Sequence, residues 1–96
     1  MRVRILSSAL ADLRNGRQFY ENQEEGAGDY FYDSLFSNID ALKTTAGIHR
    51  KVFGFHRLLA KRFPYAVYYK VRDDEMTVYR VLDCRRNPQA IRDALI

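Results

Sequence analysis

Six cations in the second half of the chain, Arg57, Lys61, Arg62, Arg80, Arg85 and Arg86, are interleaved with Tyr65, Tyr68, Tyr69 and Tyr79. Such residues can hold a polyanion in two ways. Guanidinium and ammonium groups pair with phosphates or carboxylates, and tyrosine rings can stack unpaired bases, worth about 1–3 kcal/mol per base. The same cations could stabilise the charge that develops when RNA is cut through its own 2′-hydroxyl. That reaction also needs a proton acceptor and a proton donor. Arginine stays protonated and shuttles protons poorly. His49 and His56 are the side chains that titrate near neutral pH without perturbation. They lie seven apart, either side of Gly54, and nothing in the spacing makes them converge. They read as ordinary surface or turn histidines.

Other candidates are weaker. Cys84 reads as a small apolar residue in a central strand, not as a nucleophile. Asp12, Glu21, Asp29, Asp33 and Asp40 lie on helical stretches and never take metal-ligand spacing with a histidine, so no metal is expected. Gly26-Ala27-Gly28 lacks the Lys-Ser/Thr that follows a phosphate-cradling loop. No cofactor is expected. Among the aromatics, Tyr65 and Tyr69 are expected in the core, whereas Tyr68, sharing a face with Lys70, is expected to be exposed. The balance leans toward binding over catalysis. Were there a ribonuclease site, Arg57, Lys61, Arg80 and Arg85 would hold the RNA.

Charge divides along the chain. Residues 1–48 carry five Lys or Arg against seven Asp or Glu; residues 49–96 carry eleven against five, for a net +4. That asymmetry points to an acidic partner, nucleic acid or protein, or to a solvated, guarded sheet face. The 96 residues suffice for one domain, 1–96, burying about 65% of the unfolded surface. No run of about 18 apolar residues suggests a membrane span, and the N-terminal apolar stretch is too short for a secretory signal. A cytoplasmic location is the default expectation. One cysteine excludes an internal disulfide.

Periodicity supplies the elements that would position these groups. Arg2 to Leu6 alternates as a strand with one wet face. Ser7 and Ser8 offer an N-cap, and Leu10, Leu13, Arg17 and Tyr20 mark a helix over about residues 8–24. Gly16 weakens that helix by about 1 kcal/mol relative to alanine, and Arg17 and Glu21 are spaced to pair. Glu25-Gly26-Ala27-Gly28 breaks the pattern. Phe31, Leu35, Ile39 and Leu42 resume it to about residue 44, giving an antiparallel helix hairpin. His49–Phe53 and Phe55–Phe63 read as one strand interrupted at Gly54. Tyr65–Val71 reads as the next strand, Arg72-Asp73-Asp74-Glu75 as a turn, and Met76–Cys84 as a covered central strand. Pro88–Leu95 reads as a last short helix. The expected fold is α+β: an N-terminal strand, then an antiparallel helix hairpin packed on a small, mostly antiparallel sheet.

Four segments together resemble the RelE/ParE toxins of bacterial type II toxin–antitoxin systems. They are Ala9-Leu10-Ala11-Asp12-Leu13; Phe19-Tyr20 with Gly26-Ala27-Gly28 and Phe31; Arg57 with Lys61-Arg62-Phe63-Pro64-Tyr65 and Tyr68-Tyr69; and Val78, Val81, Arg85-Arg86 and Pro88. The resemblance implies a toxin neutralised by a cognate antitoxin whose disordered arm folds onto it. It leaves two targets: DNA gyrase for ParE-like members, ribosome-bound mRNA for RelE-like members. RelE-like nucleases usually carry a tyrosine or histidine near the C-terminus, and this chain has neither after Tyr79. Asp83 stands where that closing strand often has a histidine, and a carboxylate there would repel the scissile phosphate. The resemblance is therefore closer to ParE. It implies antitoxin or target contacts at Arg57, Lys61, Arg62, Tyr68, Arg80, Arg85 and Arg86. A further alternative is a toxin-like module that only binds.

Overall fold

Five strands and three helices make up the structure, a computed structural model describing residues 1–96: β1 (Arg2–Ile5), α1 (Ser7–Gln23), α2 (Ala27–Thr45), β2 (Lys51–Val52), β3 (Phe55–Leu59), β4 (Tyr65–Arg72), β5 (Glu75–Asp83) and α3 (Pro88–Leu95). The sheet order is β1-β5-β4-β3-β2. β1 runs parallel to β5, and every other pairing is antiparallel. The fold is α+β, as the pattern of elements implies. No helix is long and apolar enough to cross a membrane.

The helix hairpin covers one face of the sheet. Its stripe of Ala9, Leu13, Phe31, Leu35, Ile39 and Leu42 meets Tyr65, Val67, Tyr69, Met76, Val78 and Val81. Fully burying a side chain such as Phe31 contributes about 1.5–3 kcal/mol. A smaller cluster lies on the opposite face, where Ile91 of α3 meets Phe55, Ala66, Tyr68 and Leu82. β5 is therefore covered on both faces, which explains why its sequence is apolar on both parities.

A β-bulge makes that arrangement possible. Tyr68 pairs with Arg80, but Tyr69 pairs with Val78, so Tyr79 has no partner on β4. The extra residue resets the alternation. Val78 and Val81, three apart, can then both face the helices.

Several local expectations change. Residue Leu6 is the N-cap of α1 and makes no side-chain cap hydrogen bond. Ser8 instead donates from Oγ to the Tyr79 carbonyl at 2.8 Å, tying α1 to β5. The interrupted strand is in fact a tight hairpin, with β2 and β3 joined by Phe53 (φ 54°) and Gly54 (φ 84°). Two residues of positive φ suit the right-handed twist of paired strands. Phenylalanine seldom adopts that conformation, so the sequence carried only the glycine half of the signal. The meander accordingly has four strands, not three, and the basic stretch after Leu59 is loop, not strand. Arg17 pairs with Asp29 of α2 instead of Glu21, because Glu21 is engaged elsewhere: its carboxylate accepts the N–H groups of Gly26 and Gly28. Both interactions staple the hairpin.

Gly16 owes its place to packing. A Cβ built there would sit 2.5 Å from the Phe31 ring. The helices approach too closely for any side chain at that position.

Candidate functional site

The cations that the sequence gathers are divided by the fold. Arg57 on β3 lies opposite Tyr68 on β4, on the face that carries α3. Lys61, past the end of β3, lies toward α2, and its backbone N–H donates to Asn38 Oδ1 at 3.3 Å. It also lines a hollow with Ala41, Leu42 and Leu58. Arg57 and Lys61 thus address different sides of the sheet.

Two more cations are paired with carboxylates. Arg80 makes a bidentate pair with Asp12, Nε to Oδ2 at 2.7 Å and Nη2 to Oδ1 at 2.9 Å. Its Nη1 donates to the Ala94 carbonyl at 3.0 Å. Arg85 chelates Asp83 through Nε at 3.0 Å and Nη2 at 2.7 Å. Those hydrogen bonds hold the Asp83 carboxyl below its ordinary range despite partial burial. Arg86 is exposed, and no carboxylate lies within ion-pair distance of it. Arg62 donates from Nη1 to the Tyr30 hydroxyl at 3.0 Å.

The tyrosines also depart from expectation in one case. Tyr65 and Tyr69 are buried, as core packing requires, but Tyr68 is only 1% exposed. Its ring packs with Ala66, Leu82 and Ile91 beneath α3, a helix that period-two reasoning on β4 cannot see. Burial pushes the Tyr68 hydroxyl pKa up, partly offset by Arg57, and burial with the nearby Asp83 pushes Tyr65 up to about 12. Neither is poised to exchange protons at neutral pH. Cys84 is exposed, not a central-strand hydrophobe. Partial desolvation raises its thiol pKa, so it stays protonated.

The two histidines do converge. His56 Nδ1 bonds the His49 carbonyl at 2.7 Å, and its ring stacks on Tyr69 with centroids 5.2 Å apart. His49 Nδ1 shares a hydrogen bond with the Tyr69 hydroxyl, which also accepts the Gly47 N–H at 3.1 Å. Burial, then the neighbouring His56, lowers the His49 pKa. The sharp β2–β3 hairpin brings these residues together. The cluster pins the loop after α2 to the sheet.

Sequence reasoning missed a groove of about 910 Å³ between α2 and β1. Its floor is Val3, Ile5, Phe36 and Ile39, and Arg2, Arg4 and Lys43 stand at its rim with Asp33, Asp40 and Glu75. β1 is an edge strand, so half of its backbone groups point outward. The alternating Arg2–Ile5 segment carried the available signal, but which strand would lie at the edge depends on topology.

An α+β layer with an apolar edge groove and scattered cations, of which Arg80 and Arg85 are paired with carboxylates, defines a small basic domain. The chain belongs to the ParE toxin family, "ParE toxin of type II toxin-antitoxin system, parDE", whose family model matches residues 3–88. Among solved structures, a chain of the chromosomal ParDE TA system from P. aeruginosa is similar in fold, with a TM-score of 0.71 and 20% identity. The match covers 84% of this chain and 92% of that chain. No curated protein matches the sequence. The protein is thus a toxin of a type II toxin–antitoxin system, and such a system implies an antitoxin partner.

Proposed function

We propose that this toxin acts by binding DNA gyrase, and that its antitoxin silences it by laying an apolar segment with acidic flanks into the α2–β1 groove. The observation that carries the first part is the commitment of Arg80 to Asp12 and of Arg85 to Asp83. A ribonuclease built from Arg57, Lys61, Arg80 and Arg85 would need these guanidinium groups free and facing one phosphate. Here two are neutralised and the other two lie on different sides of the sheet. Membership of the ParE family supports the same reading.

The groove supports the second part. Its apolar floor suits an amphipathic segment, Arg4 on its mixed rim suits a carboxylate, and the free edge of β1 can pair with an added strand. A disordered arm would fold as it binds there.

A paired assay of antitoxin-free protein tests the target. One reaction holds gyrase and plasmid, the other programmed ribosomes and message. Trapped or linearised plasmid with intact message is the expected outcome. Cut message with normal supercoiling would replace the gyrase reading with ribosome-dependent cleavage, and Arg85→Ala should then abolish it. No effect in either tube, with growth unaffected by expression, would leave a module that only binds.

A further inference from the structure

Six rings form one aromatic cluster at the end of the molecule where α1 turns into α2. Phe63, in the β3–β4 loop, is its hub, with centroids 4.9 Å from Tyr20, 5.1 Å from Phe31 and 5.4 Å from Tyr30. Phe19 stands edge-on to Tyr20 at 5.1 Å and 85°. Tyr65 closes the cluster toward the core, 4.8 Å from Phe31. The inner rings, Phe31 and Tyr65, are buried, whereas Phe19 is 47% and Tyr30 51% exposed. Packing of the core accounts for the inner rings but not for two outer ones left half in water.

Arg62 borders the exposed Tyr30 ring. The Arg62 guanidinium lies 6.0 Å from the Tyr30 centroid while donating to its hydroxyl. The Cys84 N–H donates to the Pro64 carbonyl at 2.7 Å, which sets the turn carrying Arg86 beside the aromatic loop. Three nearby carboxylates are engaged: Asp29 on Arg17, Asp83 on Arg85, and Glu21 on the amides of Gly26 and Gly28. Glu24 and Glu25 of the adjoining turn stay exposed, as does Asp33, which shares a hollow with Tyr30, Lys61 and Arg62. The patch is therefore mixed along its helix rim and positive along its loop rim.

We propose that this aromatic–arginine patch is a protein-docking surface whose partner presents apolar pockets bordered by acidic residues. Given the target reading above, on which this assignment rests, that partner is gyrase. Aromatic and arginine side chains dominate binding energy at protein interfaces because they bury large area with few rotors. Ring–ring contacts already hold these rings, so docking orders little more. Nucleic acid fits less well. Phe63 packs on Tyr30 and Arg62 is held at its hydroxyl, so part of the ring surface a base would stack on is already in use. The rings and arginines of the patch do not line the α2–β1 groove, so target and antitoxin would use separate surfaces.

Binding to immobilised gyrase is measured for the wild type, for Phe19→Ser with Tyr30→Ser, and for Arg62→Glu with Arg86→Glu. Thermal melting of each serves as the folding control. Each pair should weaken binding by about tenfold or more, and wild-type binding should weaken with added salt. Unchanged gyrase affinity in the charge-reversed pair overturns the docking assignment and leaves the gyrase reading standing. If the wild type does not bind gyrase, that reading fails, and growth arrest on induced expression decides the patch. Relief of arrest by the charge-reversed pair, with wild-type melting, supports docking to a different acidic protein; retained arrest overturns it. Binding of a single-stranded oligonucleotide by the wild type, lost in both pairs, would overturn the assignment in favour of nucleic acid.

Discussion

Asp12 on α1 and Arg80 on β5, far apart in sequence, meet in a bidentate pair that joins three elements. Asp12 Oδ2 also accepts the Val81 N–H at 2.9 Å, and Arg80 reaches on to the Ala94 carbonyl near the end of α3. The side chains are only 12% and 27% exposed, respectively. The pair is therefore shielded more than a surface ion pair, whose contribution is usually small.

Removing Asp12 should be costly because it strands a half-buried guanidinium and a backbone donor together. Asp12→Ala is expected to lose about 2–3 kcal/mol, lowering the melting temperature by roughly 10–15 °C. Urea denaturation measures the first and thermal melting the second. A loss below about 0.5 kcal/mol would mean that water replaces the carboxylate at little cost.

The helix hairpin should resist side chains at its glycines. A Cβ on Gly28 would lie 2.6 Å from the Arg17 carbonyl oxygen, and one on Gly16 2.5 Å from the Phe31 ring. Alanine favours helix at both sites, yet each substitution should destabilise by about 1–3 kcal/mol through overpacking. Gly28→Ala should be the worse, since backbone yields less than a ring. Stability equal to or above wild type at Gly28 would show that the helices can part there freely.

Stability should fall as the solution is acidified through the histidine range. Burial and His56 depress the His49 pKa in the folded chain, so the unfolded chain binds protons more readily. His49 therefore contributes stability that is full above the ordinary histidine value of about 6.5 and is lost as pH falls through the lower folded value. Asp83, also depressed, acts in the same direction but in the separate carboxylate range, below about pH 4. Denaturation at about pH 7.5 and about pH 5.5 should show the loss in wild type and a smaller loss in His49→Asn. An equal loss in both would assign it to other groups.

Antitoxin binding should depend on the groove floor. Phe36→Asp is expected to weaken the complex by about tenfold or more, read by calorimetry against wild type. Arg57→Glu with Arg62→Glu tests whether the basic sheet and loop contribute as well. Loss only in the latter would move the antitoxin away from α2 and β1.

Cys84 should alkylate slowly at neutral pH. Partial desolvation keeps its thiol protonated although it is exposed, and the thiolate is the reactive form. Its rate with iodoacetamide should fall below that of a free cysteine and rise with pH. A rate above free cysteine would reveal an activating neighbour.

Taken alone, the sequence determined the elements whose signals are local. The Phe31, Leu35, Ile39, Leu42 stripe specified α2, and Asn87-Pro88 specified the start of α3, where Asn87 Oδ1 accepts the Gln89 N–H. The family was legible for the same reason, because the spacing of several such local signals survives in the chain. The tertiary structure decided what depends on non-local approach. Strand alternation fails across an unseen bulge at Tyr79, so which basic residues share a face could not be counted from spacing. Tyr68 is buried only because α3 folds back over it, and His49 reaches Tyr69 only because Phe53-Gly54 turns the chain sharply. Arg80 and Arg85 look alike as cations in sequence. Which carboxylate neutralises each is set by where α1 and the end of β5 come to rest, because an ion pair depends on distance in space and not along the chain.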